Sequence, residues 1–386
     1  MRKHRVAVIG CGSIARGWHC PNIVNNPRTE LAVVCDVNAQ VAENFRKVFG
    51  AAASCTDWQD AVENPDVDVI VLCTHTNLRS EVIVPALASG KPVFVEKPLA
   101  ATVSEMQRIV AAVRQTGVPV CVCHNRRSSP AILELRRLLH KAVASAGGLP
   151  ASVDRSGQGR RESLPEERQI QILMRVNDDC RSWQDWIYRD NETILFAEMV
   201  HFIDVALWLN PSPPVRVFAE GSARGNFTLM LRFQDGSLTT ITQSLCGHFD
   251  YPKELIEVTA NHVTLAMDHH VEVRQRGLPD EPFRFTYPFK SDPDGKLAQG
   301  MEAFHEAVTL AHEQAAAGAP PFFVSPDKGH ARHLDRFLDC IEGNGENPCD
   351  VVSAVTVTRI TMKLLESIRL GVPLPVGPED WHIPAV

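Results

Sequence analysis

The chain has no basic stripe, no long apolar run and no paired-cysteine motif, and each absence removes a class of function. Lys and Arg number 39 against 46 Asp and Glu, a formal net charge of −7. A nucleic-acid surface needs the opposite sign gathered on one face, so no nucleic-acid partner is expected. No stretch approaches the roughly 20 apolar residues that span a bilayer, so no membrane partner is expected either. The opening MRKHRVAVIG sets basic residues before an apolar segment, as a secretory signal does. Its apolar part is too short and runs into a glycine turn without a cleavage site, so it reads as a first β-strand.

The 11 cysteines are scattered and form no CxxC pair. Cys35 in LAVVCD and Cys73 in VIVLCT fall in strand-like runs, where a free thiol behaves as a small apolar side chain. The spacing supports neither a disulfide framework nor a zinc site. It fits reduced thiols in a cytoplasmic protein.

What the sequence does have is alternation. At 386 residues there is room for two domains with separate cores. The strand RVAVIG (5–10) ends in Gly10-Cys11-Gly12-Ser13-Ile14-Ala15, a helical segment follows, and a second strand (31–35) ends at Asp36. This is a GxGxxA fingerprint inside a strand–turn–helix–strand unit. Gly10 permits the tight turn, Gly12 lets the backbone approach a pyrophosphate, and Ala15 allows close helix–strand packing. Ser13 and Ile14 open the helix, whose first N–H groups face the phosphates. Asp36 is placed to accept from both ribose hydroxyls, which favours NAD over NADP because a carboxylate repels a 2′-phosphate. Helix-like segments at 57–62, 79–89 and 103–115 then alternate with strands at 67–74, 92–97 and 118–124. The pattern predicts a doubly wound parallel sheet with ligands at the carboxyl ends of its strands. Asp36, Thr74, Glu96, Lys97, His124 and Asn125 occupy such ends, with His75 and Asn77 in the loop after the 67–74 strand.

Beyond residue 130, alternating runs near 168–177, 215–223, 226–245, 253–276 and 283–289 (FRFTYPF) are separated by turn signals such as Asp235-Gly236 and Ala260-Asn261. They read as hairpins, hence a mostly antiparallel sheet. The pair His269-His270 falls in one hairpin and is expected at the surface. Between these runs a helix is expected over about 193–209. Glu198, His201 and Asp204 recur every three residues there and share one side. Three readings are open for this row: a solvated face, a metal site, and acid/base work with hydroxyl binding. Glu198–His201 and Glu302–His305 are both ExxH, but a di-iron bundle needs four core helices that this strand-rich region lacks, so no metal is expected. Lys97 has an alternative of its own, a surface ion pair with Glu96. Trp183 and Trp186, in RSWQDWIYRD, suit either stacking on sugar faces or packing between domains.

With Glu96-Lys97-Pro98, GCGSIA upstream, HNRRSSP (124–130) downstream and EMVHFIDVALWL (198–209) further on, the sequence resembles the Gfo/Idh/MocA oxidoreductases. The resemblance implies a Rossmann domain (1–125) and an α+β domain (126–386) with a large open, mostly antiparallel sheet that often mediates oligomerisation. The segment from about 350 is expected to pack back on the first domain, and the assembly to be a homodimer or homotetramer. It also implies an NAD(P)-dependent enzyme moving hydride between nicotinamide and a secondary alcohol or ketone of a sugar, cyclitol or derivative. By the same resemblance Lys97 and His201 become the proton-handling pair; Arg126, Trp183, Trp186, Glu198 and Asp204 are the candidate substrate contacts. Two alternatives share the cofactor: an NAD-assisted glycosidase or lyase, and a non-catalytic sensor. The chain departs from many members at three places: Ala197 where an aspartate precedes the histidine by four, Arg79 where the loop after the third strand carries histidine, and 189–193 where a glycine pair stands before the helix.

Overall fold

The computed structural model describes residues 2–144, 169–182, 194–248, 250–320 and 322–381. Its first layer is built from short β-branched runs that are apolar on both faces. β1 (His4–Ile9), β2 (Thr29–Cys35), β3 (Ala53–Cys55), β4 (Val69–Leu72), β5 (Val93–Val95) and β6 (Val120–Val122) form a parallel sheet in the order β3-β2-β1-β4-β5-β6. Continuous apolar strands of this kind are stable only when helices cover both faces. Here Ile70, Leu72 and Val95 face one core, and Val69, Val71 and Phe94 the other. The crossover helices carry their own start and stop signals. Asn38 caps Ala39–Phe49 by accepting from Gln40 and Val41 N–H, and Gly50 ends it at φ +70°. Thr102 and Glu105 form a capping box on Val103–Thr116, and Gly117 closes it. The order reverses at β1 between β2 and β4, which opens a crevice at the carboxyl ends of the strands.

The second sheet has nine strands. These are β7 (Gln171–Asn177), β8 (Pro214–Ser222), β9 (Asn226–Phe233), β10 (Leu238–Ser244), β11 (Glu254–Ala260), β12 (Val263–Asp268), β13 (Glu272–Arg276), β14 (Arg284–Thr286) and, from the far end of the chain, Leu374–Pro375. Its pairs are antiparallel except β7 with β10. That parallel pair exists because a helix and a hairpin lie between the two strands, long enough for a crossover. The run FRFTYPF divides: its first half is β14, while Pro288–Lys290 leaves to join a small three-stranded sheet.

One face of the large sheet buries against helices Pro130–Ala144 and Val200–Leu209. Helix Val351–Leu370 straddles both cores. Val351, Ala354 and Val355 pack with the parallel sheet, Val357, Ile360 and Leu364 with the large one. The hairpin histidines need correction: His269 and His270 are buried, not at the surface. Both take positive φ, 47° and 61°, and the turn folds inward. There His270 bonds Ser129 Oγ at 2.8 Å and Glu254 Oε2 at 2.9 Å.

Candidate active site

The crevice is a cleft of about 780 Å³, within the usual range for small-molecule sites. Gly10 forms its floor at φ +96°, and a Cβ there would meet the Cys73 carbonyl carbon at 2.8 Å. Only glycine fits on both counts. Gly12 is different: a Cβ there would meet nothing within 4 Å, because it would project into the cleft. Asp36 ties the turn to the second strand, accepting from Cys11 N–H at 3.0 Å and Asn38 N–H at 2.9 Å. The helix after the turn opens as a π-turn, Ala15–His19, before Cys20–Asn25.

Ser13, Ile14, Thr74, His75, Asn77, Glu96 and Lys97 line the same cleft as Gly10, Gly12 and Asp36. These residues fit a dinucleotide: an open glycine backbone at a helix start, a carboxylate at one end and a lysine at the other. Sequence reasoning missed Thr56, Trp58 and Phe196, which also line the cleft. Asp57 caps the helix that presents Trp58, and that N-cap was the one local signal available.

At the inner end, Glu96 accepts from His19 Nε2 at 2.7 Å. Burial opposes its charge, yet His19, Lys97 and Arg79 hold it at about 2. Lys97 is half-buried, and its ammonium donates to the carbonyl of Ala197. Burial pushes the Lys97 ammonium below the ordinary lysine value, against the pull of Glu96 and Glu198. The backbone at 197 therefore takes the lysine where no carboxylate side chain is present. Arg79 also lines the cleft, buried, donating to Thr74 O at 3.2 Å while its Nε and Nη1 have no partner. Burial brings it down to about 10.

Behind this wall a second π-turn, Leu195–Met199, carries Ala197 and Glu198 and leads into the helix with His201 and Asp204. His201 is buried, its Nδ1 has no partner, and burial with Arg126 and Lys97 nearby keeps it well below the usual histidine range. The His124 ring lies edge-on to it at 6.1 Å between centroids. Asp204 points elsewhere: fully buried, it accepts a forked pair of bonds from Arg127 at 2.6 and 2.9 Å. Arg126 does not face the cleft directly. It bonds Glu254 at 2.7 Å and Glu198 at 3.2 Å. Lys253 Nζ reaches Glu198 and Asp178, each at 2.9 Å, and Lys328 Nζ reaches Glu254 at 2.6 Å. Burial opposes the Glu198 charge, but Lys253, Arg126 and Lys97 hold it at about 2. Asn125 donates to Lys328 O at 2.8 Å, outside the cleft lining. Trp183 and Trp186 lie outside the described residues. No sequence motif announced Lys253, Glu254 or Lys328, because their neighbours in the cluster come from distant segments.

Two buried trios, His19–Glu96–Cys123 and His124–Asp204–Cys349, bring three metal-capable atoms within 4.8 Å. In each the carboxylate already has a protein partner, His19 or Arg127. Neither involves the ExxH pairs.

The family model for GFO_IDH_MocA, an oxidoreductase family with an NAD-binding Rossmann fold, matches residues 4–124. A 4-carboxy-2-hydroxymuconate-6-semialdehyde dehydrogenase of Sphingobium is 30% identical over 315 residues, covering 78% of this chain and 95% of the relative. The scyllo-inositol 2-dehydrogenase (NAD(+)) of Bacillus subtilis is 28% identical over 383 residues, covering 96% and 95%. Among solved structures, a levoglucosan dehydrogenase with NADH and L-sorbose superposes at a TM-score of 0.73, covering 98% of this chain and 100% of that one at 17% identity. Fold, cofactor cleft and relatives converge: the chain belongs to the Gfo/Idh/MocA family and is an NAD(P)-dependent dehydrogenase.

Proposed function

We propose that the enzyme moves hydride between nicotinamide and a secondary alcohol or ketone of a sugar, cyclitol or derivative, and that NAD is preferred. The observation that carries this reading is the position of Lys97 at the inner end of the cleft, against the turn that leads to His201. When bound, the nicotinamide supplies the two-electron acceptor or donor. Lys97 holds the alcohol oxygen, and its ammonium, weakened by burial, gives up its proton more readily than an ordinary lysine. His201, neutral in its buried site, accepts the hydroxyl proton. Glu198 stays charged and orients Arg126 and Lys253 around the substrate side.

Cofactor preference follows from Asp36, whose carboxylate is anchored by two backbone N–H groups at the ribose end. Val37 follows it, exposed, where an arginine would be needed to hold a 2′-phosphate. The eleven free thiols suit a reducing, cytoplasmic setting. The names of relatives, inositol and levoglucosan dehydrogenases among them, support the polyol substrate class. The test is direct. Purified protein is mixed with NAD and a panel of sugars, cyclitols and sugar acids, and NADH absorbance is followed, then the reverse with the matching ketones. Turnover that favours NAD over NADP is expected; silence in both directions with NADH still bound overturns the reading.

A further inference from the structure

Three of the eleven cysteines gather at the ribose end of the cofactor cleft. Cys35 closes β2 and lines the cleft, Cys11 sits in the glycine turn, and Cys55 closes β3 just before Thr56, another lining residue. Cys35 and Cys55 stand directly opposite each other in the parallel register of their strands. Adjacent strands run about 4.7–4.9 Å apart, inside the roughly 4.4–6.8 Å between Cα atoms that a disulfide spans. Both side chains also lie on the same side of the sheet, in the core that contains Val33 and Leu72. Cys11 packs into the core on the opposite side, with Val34 and Phe45. Register and face single out one pair.

The two thiols are not equivalent. Cys35 is buried and Cys55 half-buried. They share a hydrogen bond in which Cys35 donates, and this draws Cys55 below the ordinary thiol value; the same contact, then burial, raises Cys35. In such an arrangement the accessible sulfur attacks an oxidant and the buried one resolves the product. We propose that Cys35 and Cys55 form a modification site, oxidised by hydroperoxides to a disulfide that weakens the hold on NAD(H). The Cys55 sulfur attacks hydrogen peroxide and takes one oxygen as sulfenic acid, and the other oxygen leaves as water. The Cys35 sulfur then displaces the sulfenic oxygen, which leaves as a second water with the Cys35 proton. Two electrons pass from the thiols to the peroxide. A disulfide needs Cβ atoms about 3.5–4.5 Å apart, closer than the strand spacing, so its closure draws the two strand ends together. Those ends support the cofactor contacts. Asp36 N–H donates to the Cys55 carbonyl at 3.2 Å, and Gly10 N–H to the Cys35 carbonyl at 2.8 Å.

The test treats the whole protein with hydrogen peroxide, maps its peptides by mass spectrometry and reads NADH affinity by titration calorimetry. A peptide linked through Cys35 and Cys55 is expected, with a loss of NADH affinity of about fivefold or more. Dithiothreitol should reverse both. Cys55→Ser should bind NADH as the untreated parent does and keep that affinity under peroxide. Cys246→Ser, at an exposed thiol remote from the cleft lining, should leave the response intact. No linked peptide, a link through Cys11 instead, or a link that leaves NADH affinity unchanged overturns the proposal. So does a peroxide response that persists in Cys55→Ser. Binding and mapping need no turnover, so failure of the hydride-transfer reading is seen separately in the NAD assay.

Discussion

Gly10 and Gly12 stand two residues apart and do different work. At Gly10 a side chain would be strained by φ +96° and would collide with the Cys73 backbone. Gly10→Ala should therefore cost stability, about 2 kcal/mol or more, seen as a lower midpoint in denaturant unfolding. At Gly12 the methyl would stand in open cleft, so Gly12→Ala should keep the unfolding midpoint and lose NADH affinity. Unchanged NADH affinity in Gly12→Ala would mean that the cofactor does not lie against Gly12. Lys97 gives a second test. Its ammonium is pushed below the ordinary lysine value by burial, so activity in the alcohol-oxidising direction should rise with pH through a limb below about 10.4. Lys97→Met should lower kcat by about 10²–10⁴-fold and remove that limb, with NADH binding retained. The glycine turn and Glu96-Lys97-Pro98 were legible in sequence because each is a contiguous run whose spacing states its geometry. The acceptor of Lys97 was not, since the Ala197 carbonyl lies 100 positions away and is a backbone atom.

Elements explain why the Glu198–His201–Asp204 row does not act as one face. The spacing of three promised a shared side, and a π-turn at Leu195–Met199 intervenes before the regular helix begins at Val200. Glu198 turns toward Arg126 and Lys253, while Asp204 points to Arg127 in the interior. Asp204→Ala should thus strand a buried guanidinium and cost about 3–5 kcal/mol, measured by urea unfolding. A substrate role for Asp204 predicts the reverse: a raised KM in a protein of normal stability. The places where the chain turns between strands were legible from Asp235-Gly236 and Ala260-Asn261 because turn chemistry is local. The burial of His269-His270 was not, since their partners Ser129, Lys253 and Glu254 become neighbours only once β11 and helix Pro130–Ala144 have packed.

At the scale of the whole molecule, one buried ion cluster joins segments from both sheets, and its pH response is a property of the fold. Glu96 and Glu198 are held near 2, well under the roughly 4.3 of an unfolded glutamate, so their stabilisation is present above that value and fades as pH falls toward 2. The buried histidines act earlier. His124 is near 4 and His333 near 3, while His201, His269 and His330 lie well below their ordinary range, all with burial as the leading cause. Between about pH 6.5 and 4 the unfolded chain binds protons at these rings and the native chain does not, so stability must fall as pH falls through that window. Carboxylates alone would leave stability flat until about pH 5. The expected result is a decline in the urea midpoint already measurable between pH 6.5 and 5.5, steepening below 4.5. Because helix Val351–Leu370 threads both cores, the loss should appear in one transition for near- and far-ultraviolet signals alike. A midpoint constant down to pH 5 would mean that these imidazoles are solvated or already paired in solution, and would remove the neutral His201 on which the proton transfer depends.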